Sequence, residues 1–291
     1  MAQSAPVDEL DPRRLSAERV ERYLRRHGLK ASKSRSQNHL VDSRVLEEIV
    51  ELADPPRGRH ILEIGPGLGI LTGALLDRGA AVTAVEVDPR LVGHLRSRFA
   101  EVSNGTLALI EANALDVPVA ELVEPPYDVV ANLPYHITSV VLHHVLGNEP
   151  RPDRFVLMLQ REVAERIAAA PGGMSYLSVF VQYHASARVA RIVPASAFEP
   201  APSVESAVLV GDVRPRLLSP DAEDGLWRLV QAGFRERRKM LHNVLPRQLP
   251  QIGRERIVAA LTEVGIDASR RPQTLSVEEW MALAAALGPL D

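Results

Sequence analysis

Asp128-Val129-Val130-Ala131-Asn132-Leu133-Pro134-Tyr135 opens as a short apolar run and stops abruptly in an amide, a proline and an aromatic. Tyr127 to Ala131 is too short for a helix and carries β-branched residues, which predicts a buried parallel strand. Asn132-Leu133-Pro134-Tyr135 then lies at the carboxyl end of that strand, where open α/β sheets hold their ligands. The tetrad offers an amide that both accepts and donates, a backbone fixed by proline, and a flat ring for stacking. That set suits a planar neutral amine such as the exocyclic amino group of adenine. Taken alone, the tetrad is equally well a strand end followed by an ordinary Pro-Tyr turn. The rest of the chain has to decide.

Upstream, His60-Ile61-Leu62-Glu63-Ile64 reads as a first strand, broken by Gly65-Pro66-Gly67-Leu68-Gly69 before helical periodicity resumes at Ile70. A glycine turn between strand and helix lets a backbone approach a nucleotide or nucleoside closely. Glu86 closes the next strand, 21 residues beyond Gly65, where a carboxylate can take ribose hydroxyls. No Lys-Ser/Thr pair follows the glycines, which argues against a triphosphate cradle. A nicotinamide dinucleotide stays open on these residues alone.

Further strands are expected at 81–87, 107–111, 129–133 and 155–160, with helices at 70–76, 91–99 and 162–169. Residues 176–183 and 188–193 alternate like paired strands, and 206–210 adds a last one. Strands alternating with helices imply βαβ units and a mostly parallel sheet. Beyond about Leu217 only helices are expected, at 224–234, 254–264 and 277–287. At the other end, 14–27 reads as a basic amphipathic helix stopped by Gly28. A second helix follows Asp42, its cap, with Val45, Leu46, Ile49, Val50 and Leu52 as its apolar stripe.

The chain has no Cys, which excludes disulfides, Cys-ligated zinc and thiol catalysis. Met1 to Glu9 has neither a charged start nor an apolar core, so no export signal is expected, and the cytoplasm is the expected location. The net charge of −3 argues at first against nucleic acid, but its distribution does not. Arg13 to Arg35 holds nine basic residues against two acidic, a local +7, and Arg228 to Arg256 holds eight against two, a local +6. A phosphate backbone responds to the local field. Either cluster alone is also what a solvated helix face looks like.

Several stretches, taken together and in chain order, resemble one family. They are Ser36-Gln37-Asn38-His39-Leu40, Glu63-Ile64-Gly65-Pro66-Gly67-Leu68-Gly69, Asn132-Leu133-Pro134-Tyr135, Gln160-Arg161-Glu162-Val163-Ala164-Glu165-Arg166, and Phe198-Glu199-Pro200-Ala201-Pro202-Ser203-Val204-Glu205-Ser206-Ala207-Val208. All are similar to the ribosomal RNA adenine dimethyltransferases, from about residue 30 to 285. Phe234 to Asn243 and Arg270 to Ser276 are similar to its KsgA-type branch, which acts on small-subunit RNA.

The resemblance implies an α/β fold, a class I methyltransferase Rossmann-like sheet of seven mostly parallel strands with a small all-α carboxyl-terminal domain. It implies a basic amino-terminal extension over 1–30, an S-adenosylmethionine-dependent methyltransferase domain over 31–215 and a helical RNA-binding domain over 216–291. The activity implied is dimethylation of N6 on two adjacent adenosines near the 3′ end of small-subunit ribosomal RNA, in an assembling subunit, by a monomer with no membrane partner and no metal. The Erm resistance enzymes, which act on large-subunit RNA, and an RNA-binding assembly factor with weakened catalysis are the alternatives.

By the same resemblance Asn38, Leu40, Gly65, Gly67, Glu86, Asn113 and Asn132 hold S-adenosylmethionine, and Asn132, Leu133, Pro134 and Tyr135 handle the target amine. Phe198 stacks on the base. Arg235, Arg237, Arg238 and Lys239 hold RNA phosphates, with Arg22, Arg25, Arg26 and Lys33 as a second set. Three positions depart from the family pattern. Asn113 stands where an aspartate is usual, Ser36 where the small-subunit enzymes have glycine, and His39 where they have phenylalanine.

Overall fold

The computed structural model of the chain describes residues 10–29, 38–102 and 105–290, so Lys33 and Ser36 lie outside the described residues. In chain order the elements are α1 (Ala17–Arg26), β1 (His39–Leu40), α2 (Ser43–Ala53), β2 (His60–Ile64), α3 (Ile70–Asp77), β3 (Ala81–Glu86), α4 (Pro89–Arg98), β4 (Leu107–Glu111), α5 (Val119–Leu122), β5 (Tyr127–Asn132), α6 (Thr138–Gly147), β6 (Arg154–Gln160), α7 (Arg161–Ile167), α8 (Tyr176–His184), β7 (Ala185–Val193), β8 (Phe198–Glu199), β9 (Ser206–Val213), α9 (Pro220–Arg235), α10 (Leu241–Gln248), α11 (Arg254–Glu263) and α12 (Val277–Leu287). They form two compact units, one running up to Ala164 and adding Arg188–Val213, the other made of Glu165–Ala187 and the chain from Arg214 onward.

The sheet has seven strands, as anticipated, and their order is β4-β3-β2-β5-β6-β9-β7. β4 through β6 pair in parallel, and β9 runs antiparallel to β6. β5 reads Tyr-Asp-Val-Val-Ala-Asn and is buried through Ala131, because helices cover both faces of a parallel sheet. Arg59, just before β2, fastens the strands at their amino ends. Its guanidinium donates to both carboxylate oxygens of Asp128 at 2.9 and 2.6 Å, and to Asp153 at 2.6 Å. Arg59 thus ties the starts of β2, β5 and β6 together, and the candidate site lies at the other end of the sheet.

A two-stranded antiparallel sheet pairs His39 with Glu199 and Leu40 with Phe198. It brings the segment at Asn38 against the carboxyl ends of the main strands. Neither short strand was evident from sequence, since two residues carry no periodicity.

The expected strand over 176–183 is a correction: those residues are α8. All of those residues but Ser178 and Gln182 are apolar or aromatic, so period alone does not separate strand from helix. The start decides it, for Ser175 and Ser178 close a reciprocal capping box at the first turn of the helix. α6 and α10 were also not anticipated. Pro246 inside α10 reads as a breaker.

The second unit has its own core, where Met174, Val179 and Tyr183 join Leu226, Leu241, Ile257 and Trp280. The boundary expected near 215 follows chain order, whereas this core also takes in the loop and helix before β7. Trp280 is fully buried, and a Cβ on Gly233 would come within 2.6 Å of its ring, so α9 and α12 meet at a glycine. Removing such an indole costs about 3–5 kcal/mol.

Candidate active site

At the carboxyl ends of β2, β3 and β5 lies a cavity of about 380 Å³. Asn38, Leu40, Gly65, Gly67, Glu86, Asn113, Asn132, Leu133, Pro134, Tyr135 and Phe198 all line it. Residues 94 positions apart in sequence, Asn38 and Asn132, touch across it. Arg235, Arg237, Arg238 and Lys239 are placed elsewhere, exposed at the end of α9 and in the turn after it, in the second unit.

The glycine loop is shaped by backbone demands. Gly65, Gly67 and Gly69 all take positive φ, at 71°, 60° and 74°. At Gly69 a second demand applies, because a Cβ there would sit 2.7 Å from both Leu95 and Phe99. Arg98 braces the loop by donating to the Leu68 carbonyl at 2.6 Å. Gly65 and Gly67 both line the cavity, where a Cβ would meet Pro134 or His39 at 3.6 Å.

Glu86 ends β3 at 5% exposure. Its Oε1 accepts the Val87 and Asp88 N–H groups at 2.9 Å each, and its Oε2 accepts the Gly67 N–H at 3.2 Å. Burial pushes its pKa up, and those three donors pull it part of the way back. A carboxylate has about four acceptor sites. Three are used, so Oε2 can take one hydroxyl without rearrangement. Glu63, at 1% exposure, takes a hydrogen bond from the Thr72 hydroxyl at 2.6 Å. Burial, with Glu86 adding repulsion, pushes its pKa to about 8 despite that bond, so it is largely a neutral acid at pH 7. Thr72 was not foreseen, because an isolated threonine in an apolar helix carries no motif.

At the end of β5 the cavity is lined by an amide, a backbone carbonyl and an aromatic ring. The Asn132 amide NH2 donates to the Asn38 carbonyl at 3.4 Å, a long bond. A carbonyl can only accept, so the amide is turned with its oxygen as the free acceptor. The Leu133 N–H bonds the Met158 carbonyl at 3.0 Å, and the turn that follows closes on the Pro134 carbonyl, one residue beyond Leu133. The Tyr135 hydroxyl meets that of Ser206 at 2.8 Å. Phe198 is 2% exposed and belongs to the core as much as to the cavity wall. His39 lies beside Gly67, and burial lowers its pKa to about 4, so it is a neutral ring there.

Asn113 sits at the rim. Its oxygen accepts the Leu115 N–H at 3.3 Å and its NH2 donates to Asp116 at 3.0 Å. The charge missing at position 113 thus reappears three residues on, attached to the amide.

A glycine loop at the end of β2, an acid at the end of β3 and a seven-stranded sheet with its antiparallel strand next to the last parallel one define a class I methyltransferase. Residues 28–287 match the family described as ribosomal RNA adenine dimethylase, and the chain belongs to it. It is 42% identical over 278 residues to the Ribosomal RNA small subunit methyltransferase A of Anaeromyxobacter sp. (strain K), covering 91% of this chain and 96% of that one. It is 28% identical to the solved 23S rRNA methyltransferase ErmE, with a TM-score of 0.67 over 86% of this chain and 99% of that one. A dimethyladenosine transferase from Plasmodium falciparum, 24% identical, shares the fold with a TM-score of 0.73, covering 84% of this chain and 95% of that one. Among the described residues no helix is long and apolar enough to cross a membrane.

Proposed function

We propose that the protein uses S-adenosylmethionine to dimethylate N6 of two adjacent adenosines near the 3′ end of small-subunit ribosomal RNA, as the subunit is assembled. The observation that carries this reading is the pairing, in one cavity, of Glu86 with the Asn132–Tyr135 tetrad, in a chain 42% identical to a small-subunit methyltransferase. The large-subunit relative is more distant, at 28%.

The residues present fit the cofactor. Gly65 and Gly67 offer backbone without side chains, Glu86 Oε2 an acceptor for a ribose hydroxyl, and Asn113 a carbonyl oxygen at the rim. Asn38 and Leu40 close the site from the amino-terminal segment. When bound, S-adenosylmethionine supplies a methyl carbon on a positively charged sulfur.

The target nitrogen is a poor nucleophile because its lone pair is delocalised into the purine ring. Asn132 Oδ1 and the Leu133 carbonyl would each accept one of its hydrogens. That favours a tetrahedral nitrogen with its lone pair facing the donor, and orientation of this kind can supply a large share of the barrier reduction. Asn132 Oδ1 and the Leu133 carbonyl would also take the proton that the nitrogen gives up on accepting the methyl group, and pass it to solvent. No imidazole is needed, which leaves His136 a polar neighbour of the tetrad.

The base has to leave its stack, at a cost of a few kcal/mol. Stacking on Tyr135, with Phe198 as a second face, returns roughly 1–3 kcal/mol per contact. RNA phosphates would be held by the helical unit through Arg235, Arg237, Arg238 and Lys239. In α1, Arg22 and Arg25 pair with Glu18 and Glu21 on the same helix, which makes the amino-terminal cluster the weaker attraction. The protein is taken to act as a monomer in the cytoplasm.

The test is transfer of labelled methyl by purified protein to ribosomal subunits from a strain lacking the modification. Label at adjacent adenosines of small-subunit RNA is expected. Label confined to large-subunit RNA, or none, overturns the proposal.

A further inference from the structure

Ser206 begins β9 and has 0% exposure. It does not line the cavity, yet its hydroxyl lies 2.8 Å from that of Tyr135, which does. Ser206 is paired with Gln160, and Val208 with Met158, in the β6–β9 ladder. The Leu133 N–H is bonded to the Met158 carbonyl. Past Ser206 the ladder is closed again, by the Arg161 N–H on the Glu205 carbonyl at 3.0 Å and by the Arg161–Glu205 ion pair at 2.8 Å. Two of the tetrad's working parts, the Leu133 carbonyl and the Tyr135 ring, are therefore tied to the same two strands. The acceptor carbonyl of Leu133 is tied through its own residue's backbone, and the ring of Tyr135 through its far end.

We infer that Ser206 is a positioning residue, whose hydroxyl fixes the plane of the Tyr135 ring so that the target base stacks in register with Asn132 Oδ1 and the Leu133 carbonyl. The inference rests on the proposed role of Tyr135 as the stacking wall. A ring held only by its backbone turns about two side-chain torsions, and a base stacked on it loses its aim at the acceptors. Held at both ends, the ring is ordered before the base arrives, and misplacement by about 1 Å in such a site costs on the order of a hundredfold.

A half-buried hydroxyl pair also contributes to stability, so the experiment has to separate the two effects. Removing one partner leaves the other buried without its bond, while removing both leaves neither stranded and is close to neutral for folding. Ser206→Ala and Tyr135→Phe should each lower both kcat on RNA, by about tenfold, and Tm, while leaving cofactor affinity unchanged. In the double variant Tm should return towards wild type, while kcat stays at the level of the single variants.

Recovery of kcat together with Tm would make the bond merely structural and overturn the inference. So would a hundredfold loss in the double variant, since two groups acting through one bond do not multiply. Tyr135→Ala separates the layers of the argument. If it is crippled while Ser206→Ala turns over normally, only the anchor is wrong. Normal turnover of Tyr135→Ala would remove the stacking wall itself.

Discussion

At the β2–β3 end of the cavity two carboxyl groups, Glu63 and Glu86, are almost wholly buried, whereas at the β5 end Asn132, Leu133 and Tyr135 present only neutral dipoles. The carboxyl end invests in fixing charge. Three backbone donors and a threonine hydroxyl are spent on holding the acids in place. Such a wall discriminates among ligands by hydroxyls and positive charge. The amide end does the reverse and leaves an oxygen free. An uncharged acceptor can hold a neutral amine without favouring its protonated form, which would have no lone pair to give. Binding and reaction are thus assigned to different strand ends, and substitutions on the two should fail in different ways.

Asn132→Ala carries the largest expected effect. It removes one of two acceptors aimed at the nitrogen, and the loss of one such preorganised group costs about 10²–10³ in kcat. Cofactor affinity, measured calorimetrically, should remain within a few-fold of wild type. Normal turnover would show that the amide is not where the chemistry happens.

Glu86→Gln should fail in the complementary way. A hydrogen bond to a charged acceptor contributes about 1.5–3 kcal/mol, which is roughly ten- to a hundredfold in cofactor Kd. With saturating donor, kcat should recover to near wild type. A kcat that stays low at saturation would mean the two walls are not separable.

Asn113→Asp is the gentler probe of the charged wall. It restores a carboxylate at the rim but sets it against Asp116, the partner of the present amide. Few-fold tighter cofactor binding is expected from Asn113→Asp combined with Asp116→Asn, and a smaller gain or none from the single change. Tighter binding in the single change alone would mean Asp116 does not matter to the amide.

These walls were unequally visible in the sequence. Gly65 to Gly69, Glu86 and Asn132 to Tyr135 were legible because each has a local chemical logic: a turn, a strand end, a proline. Asn38 and Phe198 could be placed only through family likeness, since what brings them to the cavity is a pair of two-residue strands. Thr72 and Ser206 were not singled out. Thr72 acts on a residue nine positions back and Ser206 on one 71 positions away, and a single hydroxyl in an apolar element leaves no pattern. The helix over 176–183 was misread because residues buried on all sides lose the periodicity that tells helix from strand.

Smallest in its effect on turnover, but sharpest in form, is the pH dependence expected from Glu63. Its carboxyl faces the Thr72 hydroxyl, with Glu86 and Arg98 as the charges acting on it. The folded chain holds this proton up to a pH of about 8, while the ordinary value is 4.5. Between those limits the folded state binds a proton that the unfolded state has lost, so stability falls as pH rises through the interval. Glutamine keeps an acceptor for Thr72 and has no proton to lose. Glu63→Gln should therefore match wild type in Tm near pH 5 and exceed it at pH 8, by an amount worth at most a few kcal/mol. A Tm difference that is the same at both pH values would mean that Glu63 is ionised in the folded chain. The charged wall would then carry two negative charges where this account gives it one.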